Sequence, residues 1–189
     1  MIPDEEEALE LHEKIGSSKK IVDHCLAVAR IASALVSCFQ KEGIAVDGKS
    51  VFAAALLHDI GRNRVQTVKH GFVGAEIVRE NGVDESVARI IERHVGAGLD
   101  REDAEKNGLP IDRDYIPRTL EERIVCFSDK LAGPDGELVP LEREIEKYKK
   151  KSLDYTKLLA LKKSLGDDLG RDPEAAIREE LANKERSAV

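Results

Sequence analysis

Apolar residues recur along this chain at the helical period. Ile21, His24, Cys25, Val28, Ile31 and Leu35 fall on one stripe, with Ser18 as the candidate N-cap and Gly43 near the far end. Ser50 to Asp59 reads as a short, very apolar helix, which Gly61 is placed to close with a left-handed cap. The pattern predicts a further helix from His70, stopped by Asn81-Gly82. Another is capped by Asp84, carries Val87, Ile90, Ile91 and His94 on one side, and ends at Gly96. Thr119 and Glu122 stand at capping-box spacing and open a helix through Ile124, Phe127 and Leu131. No stretch alternates as a half-buried strand must. The expected fold class is all-α, with eight or nine helices.

Two regions read differently. Residues 96 to 118 hold Gly98, Asn107-Gly108, Pro110 and Pro117, and one short helix is expected within them, over Arg101 to Lys106. A connector of this length suggests a functional flap, with Arg101 or Tyr115 available to a ligand. After Gly133-Pro134-Asp135-Gly136 the chain becomes charge-rich, with helices expected over Pro140 to Lys151, Tyr155 to Leu165 and Glu174 to Lys184, the last capped by Asp172-Pro173. The organisation expected is an acidic helical arm at 1–17, a main domain at 18–132, and a helical extension at 133–189 packed on the same domain.

The 189 residues suit one domain, at about 150 residues per domain. Charge narrows the partners: 30 Lys and Arg against 37 Asp and Glu give a net of -7. No basic face is available to displace counterions, which argues against non-specific nucleic-acid binding. The longest clean apolar run is Val51 to Leu57, short of the roughly 20 residues a bilayer requires, and no membrane partner is expected. The N-terminus is acidic where a secretory signal is basic and then apolar, so a cytoplasmic location is expected. Cys25, Cys38 and Cys126 are odd in number and lack C-x-x-C spacing, so neither a disulfide framework nor a zinc ribbon is suggested.

Five histidines are present, and His12, in the acidic N-terminal helix, is expected at the surface. The other four lie on inner faces or at helix ends: His24 on an apolar stripe, His58-Asp59 at the end of an apolar helix, His70 at a helix start, and His94 on a buried side. Asp129 sits in the apolar turn Val125 to Leu131, where an unpaired carboxylate is costly. A shared metal centre accounts for these residues together, since cations neutralise carboxylates and neutral imidazole is the commonest metal ligand. The ordered set His24, His58-Asp59-Ile60-Gly61, His70, His94 and Asp129 resembles the HD-domain metal-dependent phosphohydrolase superfamily, in particular its HDIG-type members. The resemblance covers about Ile21 to Leu131. It implies a helical-bundle fold, with His24, His58, Asp59 and Asp129 as ligands of one ion and Asp59, His70 and His94 as ligands of a second. The aspartate of the dipeptide would bridge two ions about 3.5–4 Å apart. The implied cofactors are two divalent ions drawn from Mn, Fe, Co, Ni, Mg or Zn.

The resemblance also implies hydrolysis of a phosphomonoester or phosphodiester by a metal-activated water, with no protein nucleophile. Asp59 and Arg62 are the expected catalytic groups. Arg62, Lys69 and Lys130 are the expected phosphate contacts, because each neighbours a ligand in the chain. The family divides by substrate. The segment Arg62 to Thr67 lacks the Glu-x-x-x-x-Asp pair of its mononuclear 5′-nucleotidases, and no Gly-Tyr-Pro motif of the cyclic-dinucleotide type is present. The acidic balance favours a small nucleotide over long RNA. The competing expectations are a di-iron oxygenase on the same ligand frame and a non-catalytic nucleotide- or metal-binding module. Leu141, Ile145 and Tyr148, with Leu158, Leu161 and Leu165, could pack on the domain or make a homodimer.

Overall fold

A computed structural model describes residues 1–151 and 153–187. Ser152, Ala188 and Val189, which the 133–189 extension includes, lie outside the described residues. Among those described, the chain forms ten α-helices: α1 (Glu5–Ile15), α2 (Lys19–Lys41), α3 (Gly48–Leu57), α4 (His70–Glu80), α5 (Glu85–Arg93), α6 (Arg101–Lys106), α7 (Leu120–Leu131), α8 (Leu141–Lys150), α9 (Thr156–Leu169) and α10 (Pro173–Ser187). A 3-10 turn, Ile60–Asn63, joins α3 to the segment before α4. The architecture is all-α, with more helices than the eight or nine expected.

Local chemistry sets most boundaries. Asp84 accepts from Ser86 N at the start of α5, Thr119 and Glu122 form a reciprocal capping box on α7, and Asp172 accepts from Ala175 N at the start of α10. Other boundaries differ from expectation. Ser18 has extended backbone ahead of α2 but no side-chain cap; its carbonyl accepts from Ile21 and Val22 instead. Helix α3 begins at Gly48 rather than Ser50, because Asp47 Oδ1 accepts from Lys49 N and Ser50 N, both at 3.1 Å. Gly61 is no left-handed cap: it lies inside the 3-10 turn, pressed against α4.

Helices α2, α3, α5 and α7 pack as a central bundle. Ile31, Leu35 and Phe39 of α2, Leu56 and Leu57 of α3, Ile91 of α5 and Phe127 of α7 are fully buried there. Each contributes about 1.5–3 kcal/mol of transfer free energy. Helix α1 lies on α3, α4 on α5, α8 and α9 on α7, and α10 across α2 and α9. By length and composition α2 alone among the described helices could cross a membrane. Its apolar residues are nevertheless those of a core helix, buried against α3, α7 and α10.

The connector 96–118 holds the short helix α6 and a small core of its own, Ala104, Leu109 and Tyr115 with Phe72 and Leu99 against it. Tyr115 is therefore not available to a ligand: its ring is buried and its hydroxyl donates to Pro110 O at 3.0 Å. Lys157 of α9 bridges Asp100 and Asp103 at 3.0 and 2.9 Å, fastening the connector to the C-terminal helices.

Candidate metal centre

Six side chains from five helices and the 3-10 turn converge at one end of the bundle. His24 comes from the second turn of α2 and Asp129 from the last turn of α7. His58 is the residue after α3, Asp59 precedes the 3-10 turn, His70 begins α4 and His94 follows α5. A helix end leaves carbonyls without intrahelical partners, and the histidines use them. His58 Nδ1 donates to Ala55 O at 2.8 Å and His94 Nδ1 to Ile91 O at 2.6 Å. His70 Nδ1 donates to Thr67 O, three residues before it, at 2.7 Å. Each bond fixes the tautomer and turns the Nε2 lone pair into the cluster, as the outer partners of metal-bound imidazoles do.

Two groups of distances share Asp59. Its Oδ1 lies 3.2 Å from His70 Nε2 and 3.6 Å from His94 Nε2, while those two nitrogens are 3.1 Å apart. On the other side its Oδ2 is 3.9 Å from His24 Nε2, and its Oδ1 is 3.8 Å from His58 Nε2. Asp129 Oδ1 stands 3.0 Å from His24 Nε2 and 3.5 Å from His58 Nε2. The sets His24–His58–Asp59 and Asp59–His70–His94 each bring donor atoms within 4.8 Å of one another.

His58 Nε2 and Asp59 Oδ1 are buried with no hydrogen-bond partner. Such orphaned atoms are expensive in a protein interior, and a cation satisfies both at once. The donor set, imidazole nitrogen with carboxylate oxygen, suits divalent transition metals. The residues present therefore fit a metal centre.

The field of the cluster keeps its carboxylates ionised. Burial alone would raise Asp59, but His58, His70 and His94 hold it far below the ordinary carboxylate range. Burial opposes ionisation of Asp129 too, and Lys130, His24 and His58 overcome it. Burial, with His58 and His70 packed beside it, depresses His94 to about 4, so it stands neutral and ready to ligate. His58 is raised: burial is outweighed by Cys25, Asp59 and Asp129.

Among the expected phosphate contacts, Arg62 and Lys130 border the cluster and Lys69 does not. Arg62 Nε donates to Asp59 Oδ2 and Lys130 Nζ to Asp129 Oδ2, both at 2.6 Å. Both cations line a cleft of about 380 Å³ that opens beside His24 and Asp129 and continues to α8. Lys69, ahead of α4, turns to the connector, where its Nζ lies against Gly108.

His12 is not at the surface. It is buried, with Nε2 bonded to Leu56 O at 2.8 Å and Nδ1 to Ser17 Oγ at 2.6 Å. It stands next to Cys25, which His58 and His12 together hold down to about 6 against the upward pull of burial. The signal was available in the sequence: Ala8, Leu11, His12 and Ile15 share one helical face.

The HD domain family pattern matches residues 21–133. The chain is 40% identical over 174 residues to a tRNA (cytidine(56)-2'-O)-methyltransferase of Thermoplasma volcanium, a match covering 91% of this chain and 49% of that protein. It thus spans about half the length of the methyltransferase relatives it matches. It is 46% identical over 134 residues to the uncharacterized protein MJ0778 of Methanocaldococcus jannaschii, covering 71% of this chain and 78% of that one. Among solved structures, the HD domain of the L. monocytogenes phosphodiesterase PgpH shares the fold, with a TM-score of 0.53, 21% identity, and coverage of 94% of this chain and 98% of that one. Family pattern, fold and the His-Asp constellation agree: the chain belongs to the HD domain family.

Proposed function

We propose that this chain is a metal-dependent phosphohydrolase that cleaves a phosphomonoester or phosphodiester of a small nucleotide. The observation that carries the reading is the pair of orphaned buried atoms, His58 Nε2 and Asp59 Oδ1, in a cluster whose Nδ1 hydrogen bonds aim its imidazoles inward. His24, His58, Asp59 and Asp129 would hold one ion, and Asp59, His70 and His94 a second, with Asp59 shared. Divalent ions at such a site supply Lewis acidity toward phosphoryl oxygens and an activated water. Arg62 is tethered to Asp59 through Nε, which leaves the terminal nitrogens of its fork for a phosphate oxygen. Lys130 holds Asp129 in place and adds positive charge to the cleft.

The PgpH HD domain has been solved in complex with cyclic-di-AMP, which supports a nucleotide as the class of ligand. We assign the methyl transfer named for the T. volcanium relative to the half of that protein with no counterpart in this chain.

The test begins with elemental analysis of protein purified without chelator, where two ions per chain are expected. A nucleotide panel with manganese, iron or cobalt follows, comparing the wild type with His58→Ala and Asp59→Ala. Both variants should keep their helical circular dichroism and lose hydrolysis to the background rate. Turnover retained in either variant would overturn the reading. Turnover that requires dioxygen would replace it with the oxygenase alternative.

A further inference from the structure

The cleft beside the metal centre is walled on its far side by residues outside the stretch matched by the family. Arg143 and Lys147 stand one turn apart on the same face of α8, and both line the cleft. With Arg62 and Lys130 they place four cations there against two carboxylates, Asp129 and Glu144, in a chain whose net charge is -7. Asp129 already has Lys130 and its place in the metal cluster. Of the two α8 cations, Lys147 meets Glu144 inside the cleft, and Arg143 reaches Glu137, which does not line it.

Helix α8 is held in position, so these side chains are presented rather than scattered. Leu141 and Ile145 bury its inner face. The loop before it closes through Gly133 N to Glu137 O at 2.8 Å and Val139 N to Leu131 O at 2.9 Å, and Arg30 of α2 grips Gly136 O at 3.1 Å. Leu141 N donates to the buried Glu174 of α10 at 3.2 Å. Arg143 is paired with Glu137 at 3.2 Å and Lys147 with Glu144 at 2.7 Å. Three of these four side chains are about half exposed and Glu144 less so; ion pairs of this kind contribute little and exchange readily for a stronger anion.

We infer that Arg143 and Lys147 form a distal anion subsite that takes a second phosphate of the substrate, one not undergoing cleavage. The substrate class is then a nucleotide with two or more phosphates in a chain, such as a nucleoside di- or triphosphate. This assignment rests on the phosphohydrolase reading above, and deepens it. A phosphate at the metal cluster is served by Arg62 and the ions. The cations on the opposite wall, held only by solvent-exposed ion pairs, gain a stronger partner from a ligand that extends across the cleft. Guanidinium and ammonium at that wall suit phosphate oxygens, the first in a fork and the second as a point charge. Substrate choice is accordingly carried by the C-terminal segment rather than by the shared HD core.

The test compares wild type, the double variant Arg143→Ala/Lys147→Ala, and a control, Lys150→Ala, on the exposed end of the same helix. Isothermal titration of the chelator-treated full chain uses inorganic tripolyphosphate and orthophosphate as probes. The wild type and the control should bind tripolyphosphate at least tenfold more tightly than orthophosphate, and the double variant should lose that preference. In the manganese-loaded enzyme the double substitution should raise KM for ATP about tenfold with kcat nearly unchanged, and leave bis(p-nitrophenyl) phosphate hydrolysis as it was. No preference in the wild type, or a preference that survives in the double variant, would overturn the subsite. If the wild type hydrolyses no phosphate ester with any metal, the phosphohydrolase reading fails, while the tripolyphosphate titration still decides the subsite.

Discussion

At the C-terminal end of α3 the carbonyl of Leu56 lacks an intrahelical donor, and His12 of α1 supplies one from across the interface. The contact fixes the end of the helix from which His58 and Asp59 emerge. His12→Ala would leave that carbonyl buried without a donor and open a void beside Cys25. The expected loss of stability is about 2 kcal/mol, near the middle of the range for an unsatisfied buried group, read as a lower midpoint in guanidinium. Metal affinity should fall about tenfold as well, as for other outer supports of a ligand, measured by competition with a chromophoric chelator. Unchanged affinity would mean that His58 keeps its aim without His12. Sequence alone placed His12 outside because Glu5, Glu6, Glu7, Glu10 and Glu13 surround it and obscure the Ala8–Leu11–His12–Ile15 stripe. The six residues of the metal cluster were easier to single out. Histidines and aspartates on otherwise apolar faces stand out from their neighbours, and the structure brings all six together. Lys69 was chosen only for adjacency in the chain, which says nothing about the direction of a long side chain at a helix start.

Between α3 and α4 the chain must turn within a few residues and still bring Asp59 to His70. Gly61 makes the approach possible. A Cβ there would stand 2.1 Å from His70 O and 2.6 Å from Gly74 N, both backbone atoms that cannot step aside. Gly61→Ala should therefore push the 3-10 turn off α4, at about 1–3 kcal/mol for the overpacking. His70 would be carried away from Asp59, so metal content should drop from two ions per chain to one while the fold remains helical. Two ions retained would show that α4 can shift without losing its ligand. The sequence flagged Gly61 as special and misread the reason, since a glycine after a helix serves equally as a left-handed cap or as a point of close approach. Other elements were legible to the extent that their ends carry specific chemistry. The Thr119–Glu122 box, the Asp84 cap and the short Arg101–Lys106 helix stand where expected. Asp47-Gly48 reads as a turn dipeptide and hid the true start of α3. Gly166 looks like a stop, yet α9 runs through it to Leu169 and ends at Gly170, whose φ is +76°.

The C-terminal third is where periodicity alone could not choose between packing on the domain and pairing with a second copy. In the structure Leu158, Leu161, Leu165 and Leu169 of α9 and Ala176, Ile177 and Leu181 of α10 join the same core as α2 and α7. Polar contacts reinforce that seam: Ser37 donates to the buried Glu180 at 2.8 Å, Lys41 pairs with the same carboxylate, and Cys38 Sγ lies against Ala176 O. The candidate metal ligands are drawn from α2, α4 and α7 and from the residues just after α3 and α5, so an ion bound there ties together the elements on which α8, α9 and α10 are seated. Scanning calorimetry of the full chain should accordingly show one unfolding transition. An ion present at a hundredfold excess over its dissociation constant adds about 2.7 kcal/mol. At about 2–4 °C per kcal/mol for a domain of this size, metal should move the whole transition upward by at least about 5 °C, and chelator should reverse it. Two peaks, with only one responding to metal, would make the last third a separate unit. In that case Arg143 and Lys147 would have no fixed relation to the metal centre, and the polyphosphate subsite would fall with the single transition.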